Sequence, residues 1–497
     1  MKSRLHFMGI GGQGISSVAQ MAHASGAIVT GCDQRASATV RALREAGIAI
    51  EIGHSSEHLK DIDTLVISPA VPALDPHNPE LLAAQERGLR VVTWQEILGG
   101  LMQDKCVLSV SGVHGKGTTT AMLSLMLVDA GLDPTCEIGA VVPRFGANYR
   151  VGQSAYFVNE ADEFNHNFWH YHPRLVIVTS IEFEHPEFFA DYEAFLYAFE
   201  HFIRGMDLDG DWPLPATVIL NADSPGCWDL RARLHDWPGR IVTYSLGGEM
   251  AQQHEPATFE AFDVVLDGQT SFRVRTRAGS VFPEDLVVRL SLPGGYNIEN
   301  ALAALSAAHL LGVDATTIAN ALASFTGTRR RFEIRHQGPL RLPEQVVDVT
   351  LVDDYAHHPT AIAATLEATR RRYPGQRIVA VYQPHMYSRT KTFLAQFLRS
   401  FDAADVAIIA DIYPARERDT GLIHAQAVVD GLALQPHFAA GTGQVLHGGS
   451  VSETTGLVAR TLRSGDIAIV MGAGDIYVVT ETLLNNAQQA QGNNHDI

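Results

Sequence analysis

Residues Cys106–Gly131 read CVLSVSGVHGKGTTTAMLSLMLVDAG, and their reading decides the fold. An apolar run the length of a buried strand passes straight into Ser111-Gly112-Val113-His114-Gly115-Lys116-Gly117-Thr118, and an apolar helical stretch follows. Strand, glycine turn with a lysine, then helix is the order that brings backbone N–H groups and a helix N-terminus to a phosphate, with the lysine supplying charge. Gly112, His114, Gly115, Lys116, Gly117 and Thr118 are therefore candidate nucleotide contacts. The loop departs from the usual phosphate-loop pattern in two places. Val110 stands where its first glycine would be, and Gly117 replaces the Ser or Thr whose hydroxyl holds Mg2+. Thr118, one residue later, is the nearest substitute.

Upstream, from Leu5 to about Leu101, short apolar runs (LHFMGI, AIVTGCD, DTLVISPA, LRVVTW) alternate with amphipathic stretches. That rhythm predicts βαβ units and a parallel sheet. Gly9-Ile10-Gly11-Gly12-Gln13-Gly14 follows the first strand and opens a helix, and Asp33 ends the second strand about 20 residues on. The glycines let backbone donors approach a diphosphate; whether it belongs to NAD or to a sugar nucleotide stays open on this motif.

Downstream, YFVNEAD, RLVIVTSIEFEH and ATVILNAD are apolar runs with polar ends, where an open α/β sheet binds its ligands. Two of those ends carry Glu160-Ala161-Asp162-Glu163 and His185. Carboxylates with an occasional imidazole suit Mg2+. From about Ile241 to Leu292 the alternation (FDVVLDG, SFRVRTR, LVVRLSL) predicts an antiparallel excursion, followed by a helical pair over Asn297–Phe325. A third α/β block starts near Arg331. Two of its strand ends carry DDYAHHPT (353–360) and QPHMYSRT (383–390), a polar crevice suited to an anionic substrate. A zinc site from His357, His358 and His385 is disfavoured, because adjacent histidines project in different directions. The tail from Asn485 is polar and is expected to fray. The segment before Thr328 is the expected hinge.

Composition bounds the function. At about 100–200 residues per domain, 497 residues imply about two to four domains. With 46% hydrophobic and 19% charged residues the chain is globular. Lys and Arg number 37 against 55 Asp and Glu, a net charge of −18, which argues against coating a nucleic acid. Cys32, Cys106, Cys136 and Cys227 form no C-x-x-C pair, so neither a disulfide framework nor a cysteine zinc site is expected. No signal-peptide core and no membrane-length apolar run is found, so a cytoplasmic protein that does not engage a membrane is expected.

Taken in order, GIGGQGISS, SGVHGKGTTT, NEADE with His185, GYNIENALAA, TRRRFE, DDYAHHPT, QPHMYSRT, DIYPARE and GAGD resemble the Mur ligases of peptidoglycan synthesis over nearly the whole chain. The resemblance implies three α/β domains: a Rossmann-like UDP-sugar domain (1–103), a central P-loop-type ATPase (104–328) and a Rossmann-like amino-acid domain (329–497). It implies ATP-dependent joining of L-alanine to the carboxylate of UDP-N-acetylmuramate through an acyl phosphate, with Mg2+, by a monomer or homodimer. Carried over, Lys116 meets the β- and γ-phosphates, Glu160 and His185 bind Mg2+, and Asn297 and Asn300 lie near adenosine. Arg331 of the Arg329–Arg331 run and Asp353 reach the nucleotide. Gly11, Gly12, Gly14 and Ser16 meet the UDP diphosphate with Asp33 nearby. Tyr355, His357, His385 and Arg389 form the amino-acid pocket, with Arg389 pairing the incoming carboxylate.

Some positions depart from the family pattern. Gly117 stands in place of Thr, as it does in folylpolyglutamate synthetases. Ser180 replaces an Asn, Tyr296 a His, and Met386 a second arginine of some alanine ligases. Three other readings compete. A recycling ligase would attach L-alanyl-γ-D-glutamyl-meso-diaminopimelate to the same sugar nucleotide; QPHMYSRT favours alanine. A non-catalytic member would have lost the Mg2+ hydroxyl at Gly117. A nicotinamide oxidoreductase would leave SGVHGKGTTT without a role.

Overall fold

A computed structural model describes residues 3–69, 71–277 and 282–492. The chain divides into two compact units. One is built from residues 1–182, 192–259 and 301–321, the other from 183–191, 260–300 and 322–497.

The first unit holds two sheets. Strands β1 (Arg4–Met8), β2 (Ile28–Asp33), β3 (Ala49–Ile52), β4 (Thr64–Ile67) and β5 (Arg90–Thr93) lie in the order β3-β2-β1-β4-β5. Every pair in it is parallel. The order reverses at β1, so the crevice at its carboxyl end is where a ligand is expected, and the glycine loop sits there. The second sheet of this unit uses β6 (Cys106–Ser111), β7 (Thr135–Val142), β8 (Ala147–Arg150), β9 (Tyr156–Glu160), β10 (Leu175–Val178), β11 (Thr217–Asn221) and β12 (Arg240–Ser245). Within this unit its strands run in the order β12-β11-β10-β6-β9-β7-β8. Only β7 and β8 pair antiparallel. Strands β6, β10 and β11 are buried at every residue, as continuous apolar runs covered on both faces must be. Here the order turns at β6, and the loop beyond it is the lysine-bearing one.

In the second unit, β13 (Phe259–Val265), β14 (Ser271–Thr276) and β15 (Val287–Arg289) form the expected excursion, with β14 and β15 antiparallel. Its start differs from the expectation near Ile241. Arg240–Ser245 pairs parallel with β11 and belongs to the main sheet instead. A second sheet has the order β16-β17-β21-β18-β19-β20. Its strands are β16 (Glu333–Arg341), β17 (Val346–Asp354), β18 (Ile378–Tyr382), β19 (Val406–Ala410), β20 (Gln444–Gly449) and β21 (Ile467–Met471). All but the β16–β17 pair are parallel, so the segments after β17, β18, β19 and β21 leave from one edge.

The tail corrects another expectation. Helix Val478–Gly492 runs through Asn485 and beyond, because Val479, Leu483 and Ala487 bury one face in the core beside Leu340, Val349 and Val470. Asn493–Ile497 lie outside the described residues. Among the described residues no helix is long and apolar enough to cross a membrane.

Candidate functional site

In the first unit the lysine loop is shaped by two glycines. Gly115, at φ 79°, caps the helix Lys116–Asp129 in the left-handed region. Gly112, at φ 122°, passes so close to the next strand end that a Cβ would lie 2.3 Å from Thr179 Oγ1 and 2.8 Å from Ser180 N. Thr179 Oγ1 donates to the His114 carbonyl, and His114 N–H donates to Ser180 Oγ at 3.1 Å. Ser180, standing where an Asn was expected, therefore holds the loop through its hydroxyl. The His114 imidazole meets Glu182. Thr118 lies buried in the first turn of the helix.

Lys116 does not stand alone. Its Nζ donates to the Gly112 carbonyl at 2.6 Å and to Glu163 Oε2 at 2.8 Å. Burial would lower the lysine's pKa, but Glu163, Asp162 and Glu160 outweigh it and hold the ammonium charged. Glu163 was legible only as part of an acidic cluster; the fold selects it as the partner of Lys116. Glu160 has another environment. Its Oε2 accepts from Gly139 N–H at 2.8 Å, and a Cβ on Gly117 would lie 3.0 Å from that oxygen. The missing side chain at position 117 is thus space into which the Glu160 carboxylate folds. Asp162 accepts from Asn167. Glu137, on β7, is buried; burial first, then the neighbouring Glu160 and Asp162, pushes its carboxyl well above the usual range.

The glycine loop belongs to the same unit. Gly9 and Ile10 N–H both donate to the Cys32 carbonyl, at 2.8 and 3.0 Å. Gly11 N–H donates to Asp33 Oδ2 at 2.9 Å, and a Cβ at Gly11 would meet that oxygen at 2.8 Å. Gly14 lets Trp94 pack against the helix start, where a Cβ would be 2.9 Å away. Gly12 has Ile15 close by, and Ser16 Oγ donates to the Gln13 carbonyl. Gln13 Nε2 in turn donates to the Gly139 carbonyl at 2.7 Å, tying this loop to the strand that holds Glu160.

In the second unit the edge beyond β17 and β18 gathers the remaining candidates. The Tyr355 and His357 rings lie 5.3 Å apart, His357 and His385 6.0 Å, and His385 stacks on Tyr413 at 5.6 Å. Arg389 has partners of its own within this unit. Its Nε donates to Glu184 Oε1 at 2.9 Å and its Nη1 meets His385 Nδ1 at 3.0 Å. The guanidinium expected to await a carboxylate already has one. Burial, then Arg389 and Arg416, push His385 down to about 3, so it is neutral at physiological pH. His185, at φ 57°, pairs through Nδ1 with Glu187, which Arg416 also meets.

Asp353 is turned inward. Its carboxylate accepts from Arg335 at 2.7 Å and from the Thr480 hydroxyl, and burial pushes it up to about 6 against those two partners. In the arginine run, Arg330 donates to the Gly472 and Gly474 carbonyls, while the Arg331 guanidinium lies 4.7 Å over Tyr355. Asn297 Nδ2 donates to the Pro293 carbonyl, and Asn300 Nδ2 to Asn297 Oδ1 at 3.4 Å.

Known proteins resemble this chain along its length. Residues 4–106, 110–308 and 330–474 match, in turn, the Mur ligase family catalytic domain, the Mur ligase middle domain and the Mur ligase glutamate ligase domain. A UDP-N-acetylmuramate--L-alanine ligase of Kineococcus radiotolerans is 37% identical over 97% of this chain and 96% of its own. The enzyme of that name from Renibacterium salmoninarum is 36% identical over 95% and 93%. The solved UDP-N-acetylmuramate-alanine ligase of Thermotoga maritima shares the fold with a TM-score of 0.77 at 24% identity, covering 98% of this chain and 99% of that one. A murein peptide ligase of Psychrobacter arcticus follows at 0.68 and 26%, over 97% and 98%. With both loops on their strand ends and relatives matching from end to end, this chain belongs to the Mur ligase family and has its three-domain α/β architecture.

Proposed function

We propose that the chain is an ATP-dependent amide-bond-forming ligase that joins L-alanine to the lactyl carboxylate of UDP-N-acetylmuramate in peptidoglycan precursor synthesis. The observation that carries the reading is the end-to-end similarity, at 36% and 37% identity, to relatives named for that reaction. The substrate carboxylate attacks the γ-phosphorus of ATP, giving an acyl phosphate and ADP. The uncharged amine of alanine then adds to the acyl carbon, and phosphate leaves from the tetrahedral intermediate. Excluding water protects the acyl phosphate from hydrolysis.

The roles follow the loops. Lys116 exchanges Glu163 for the β- and γ-phosphates and stabilises the charge that shifts between them. Gly112, His114, Gly115 and Gly117 line the same turn. Thr118 and Glu160 are oxygen donors that suit Mg2+, and Glu160 accepts from the Gly139 N–H. The metal, when bound, neutralises phosphate charge. His185 belongs to the second unit, and its role as a ligand rests on the family resemblance alone. Asn297, Asn300 and Arg331 serve the nucleotide; Asp353, bonded to Arg335, acts as support. Gly11, Gly12, Gly14 and Ser16 receive the UDP diphosphate, with Asp33 fixing the loop. Tyr355, His357 and His385 line the amino-acid pocket, and Arg389 holds its shape through Glu184.

The domain limits that go with this reading are 1–103, 104–328 and 329–497. A cytoplasmic monomer or homodimer suits it, since both nucleotide substrates are cytoplasmic metabolites. The test is phosphate release from ATP and Mg2+ with UDP-N-acetylmuramate, comparing L-alanine with the L-alanyl-γ-D-glutamyl-meso-diaminopimelate tripeptide, with product masses measured. Release with L-alanine supports the proposal. Release with the tripeptide alone assigns the recycling reaction instead, and ATP binding without turnover by either acceptor assigns a non-catalytic member.

A further inference from the structure

Beside the strand end that carries the glycine loop, the first sheet encloses a group of side chains that the ligase reaction does not use. His6 on β1, Cys32 near the end of β2, His58 and Glu80 bring four donor atoms within 4.8 Å of one another. His6 is 1% exposed, and Cys32 and Glu80 are fully buried. Cys32 Sγ lies 3.1 Å from Glu80 Oε2, and His58 Nδ1 lies 2.8 Å from Glu80 Oε1. His6 Nε2 points at Glu80 Oε2 from 3.5 Å and makes no hydrogen bond, although its Nδ1 is held by Thr30 at 2.8 Å. His54 stands beside the group, 3.3 Å from Cys32 Sγ.

We infer that His6, Cys32, His58 and Glu80 form a structural zinc site. A thiolate, two imidazoles and a carboxylate are the donors Zn2+ takes in closed four-coordinate sites, and the thiolate and imidazoles disfavour Mg2+. Bond lengths of about 2.0–2.3 Å place tetrahedral donors about 3.3–3.6 Å apart, so the approaches of 2.8 Å to Glu80 Oε1 and of 3.1 and 3.5 Å to Glu80 Oε2, within a group no wider than 4.8 Å, require donor shifts of about an ångström or less. Charge agrees. Among the described residues no Lys or Arg is bonded to Glu80, whose partners are histidines, the Cys32 thiol and the Ser55 N–H. Thiolate and carboxylate together balance a divalent ion. Binding forms one Zn–S bond and releases the Cys32 thiol proton to solvent; no oxidant or reductant is needed.

The site has a consequence for the glycine loop. The Cys32 carbonyl accepts the Gly9 and Ile10 N–H groups, and the next residue, Asp33, holds Gly11. Zinc on the Cys32 side chain would pin the end of β2 from which this loop hangs. The inference needs no assumption about which amine the ligase uses.

The experiment takes the full chain, stripped by chelator and reloaded with Zn2+ or Co2+. One tightly held equivalent per chain is expected, with a thiolate-to-cobalt charge-transfer band and intense tetrahedral d–d bands. Cys32→Ser should remove the charge-transfer band. Because second-shell changes alone cost about 10–100-fold in metal affinity, His58→Gln should weaken zinc at least about 100-fold. His58 is the most exposed of the four and so the least risky for folding, which circular dichroism verifies. Glu160→Gln should leave the cobalt spectrum unchanged, separating this site from the Mg2+ position. Sub-stoichiometric zinc, or a cobalt spectrum indifferent to Cys32→Ser, would overturn the inference.

Discussion

The Arg389–Glu184 pair can be tested quantitatively. The two side chains are 3% and 4% exposed and meet at 2.9 Å. Burial would raise the glutamate's pKa, but Arg389, then His358 and His185, hold it well below its ordinary 4.5. Removing one partner strands the other charge out of water, which costs about 3–5 kcal/mol. Arg389→Met and Glu184→Gln should each approach that loss. The double variant strands nothing, so its loss should fall short of the sum by about 2 kcal/mol or more. The assay is a double-mutant cycle on denaturant midpoints, monitored with a probe in the second unit, because a chain of several domains need not unfold in one step. Glu184 has a depressed folded-state pKa. Its stabilisation is therefore full above the unfolded value of 4.5 and is lost as the pH falls through the lower folded value, so the coupling should shrink in acid. Additive single losses, or a coupling indifferent to acid, would refute the claim that this arginine is spent on an internal partner. A variant with intact stability and a KM for alanine raised about 100-fold would return it to the substrate.

Other outcomes are expected. Lys116→Ala should lower turnover by at least about 100-fold while UDP-N-acetylmuramate binding, measured by calorimetry, stays within a few-fold. Gly117→Thr puts a Cβ against Glu160, so the Mg2+ concentration for half-maximal activity should shift several-fold; an unchanged titration would mean that Glu160 is not a ligand. His385 has a folded pKa of about 3 against 6.5, so stability should decline as pH falls from 6.5 towards 3, by at most about 5 kcal/mol, and His385→Asn should flatten that decline in thermal scans.

The fold was readable wherever the signal is local. Strand, glycine turn and helix follow one another within one segment at Gly9–Gly14 and again at Gly112–Lys116, so sequence order carries the geometry. Arg240–Ser245 was misassigned because an apolar strand looks the same whether its neighbour runs parallel or not; β11 decides it. The helix through Asn485 was hidden by polar composition, since past Asn485 it is Ala487 that continues the buried face begun by Val479 and Leu483. Individual site positions were legible as motifs, but their electrostatic partners were not. Glu163 reaches Lys116 across 47 residues and Glu184 reaches Arg389 across 205, and no spacing rule spans such separations. The His6–Glu80 group escaped for the same reason, its members being scattered over four strand–helix units.

On the proposed reading, the bond between Lys116 and Glu163 makes the lysine loop an exchanger. A resident carboxylate then sits where the arriving phosphates would go, so the loop's affinity would be the difference between two ion pairs and not the strength of one. Weak anions such as chloride or acetate gain nothing by displacing Glu163, whereas a polyphosphate, with several charges and a helix N-terminus to meet them, does. Selectivity against the common anions of the cell is thereby set by an internal competitor, at some sacrifice of absolute affinity. Glu163→Gln should accordingly bind ATP more tightly and inorganic phosphate far less discriminately, a trade that competition titrations would measure directly.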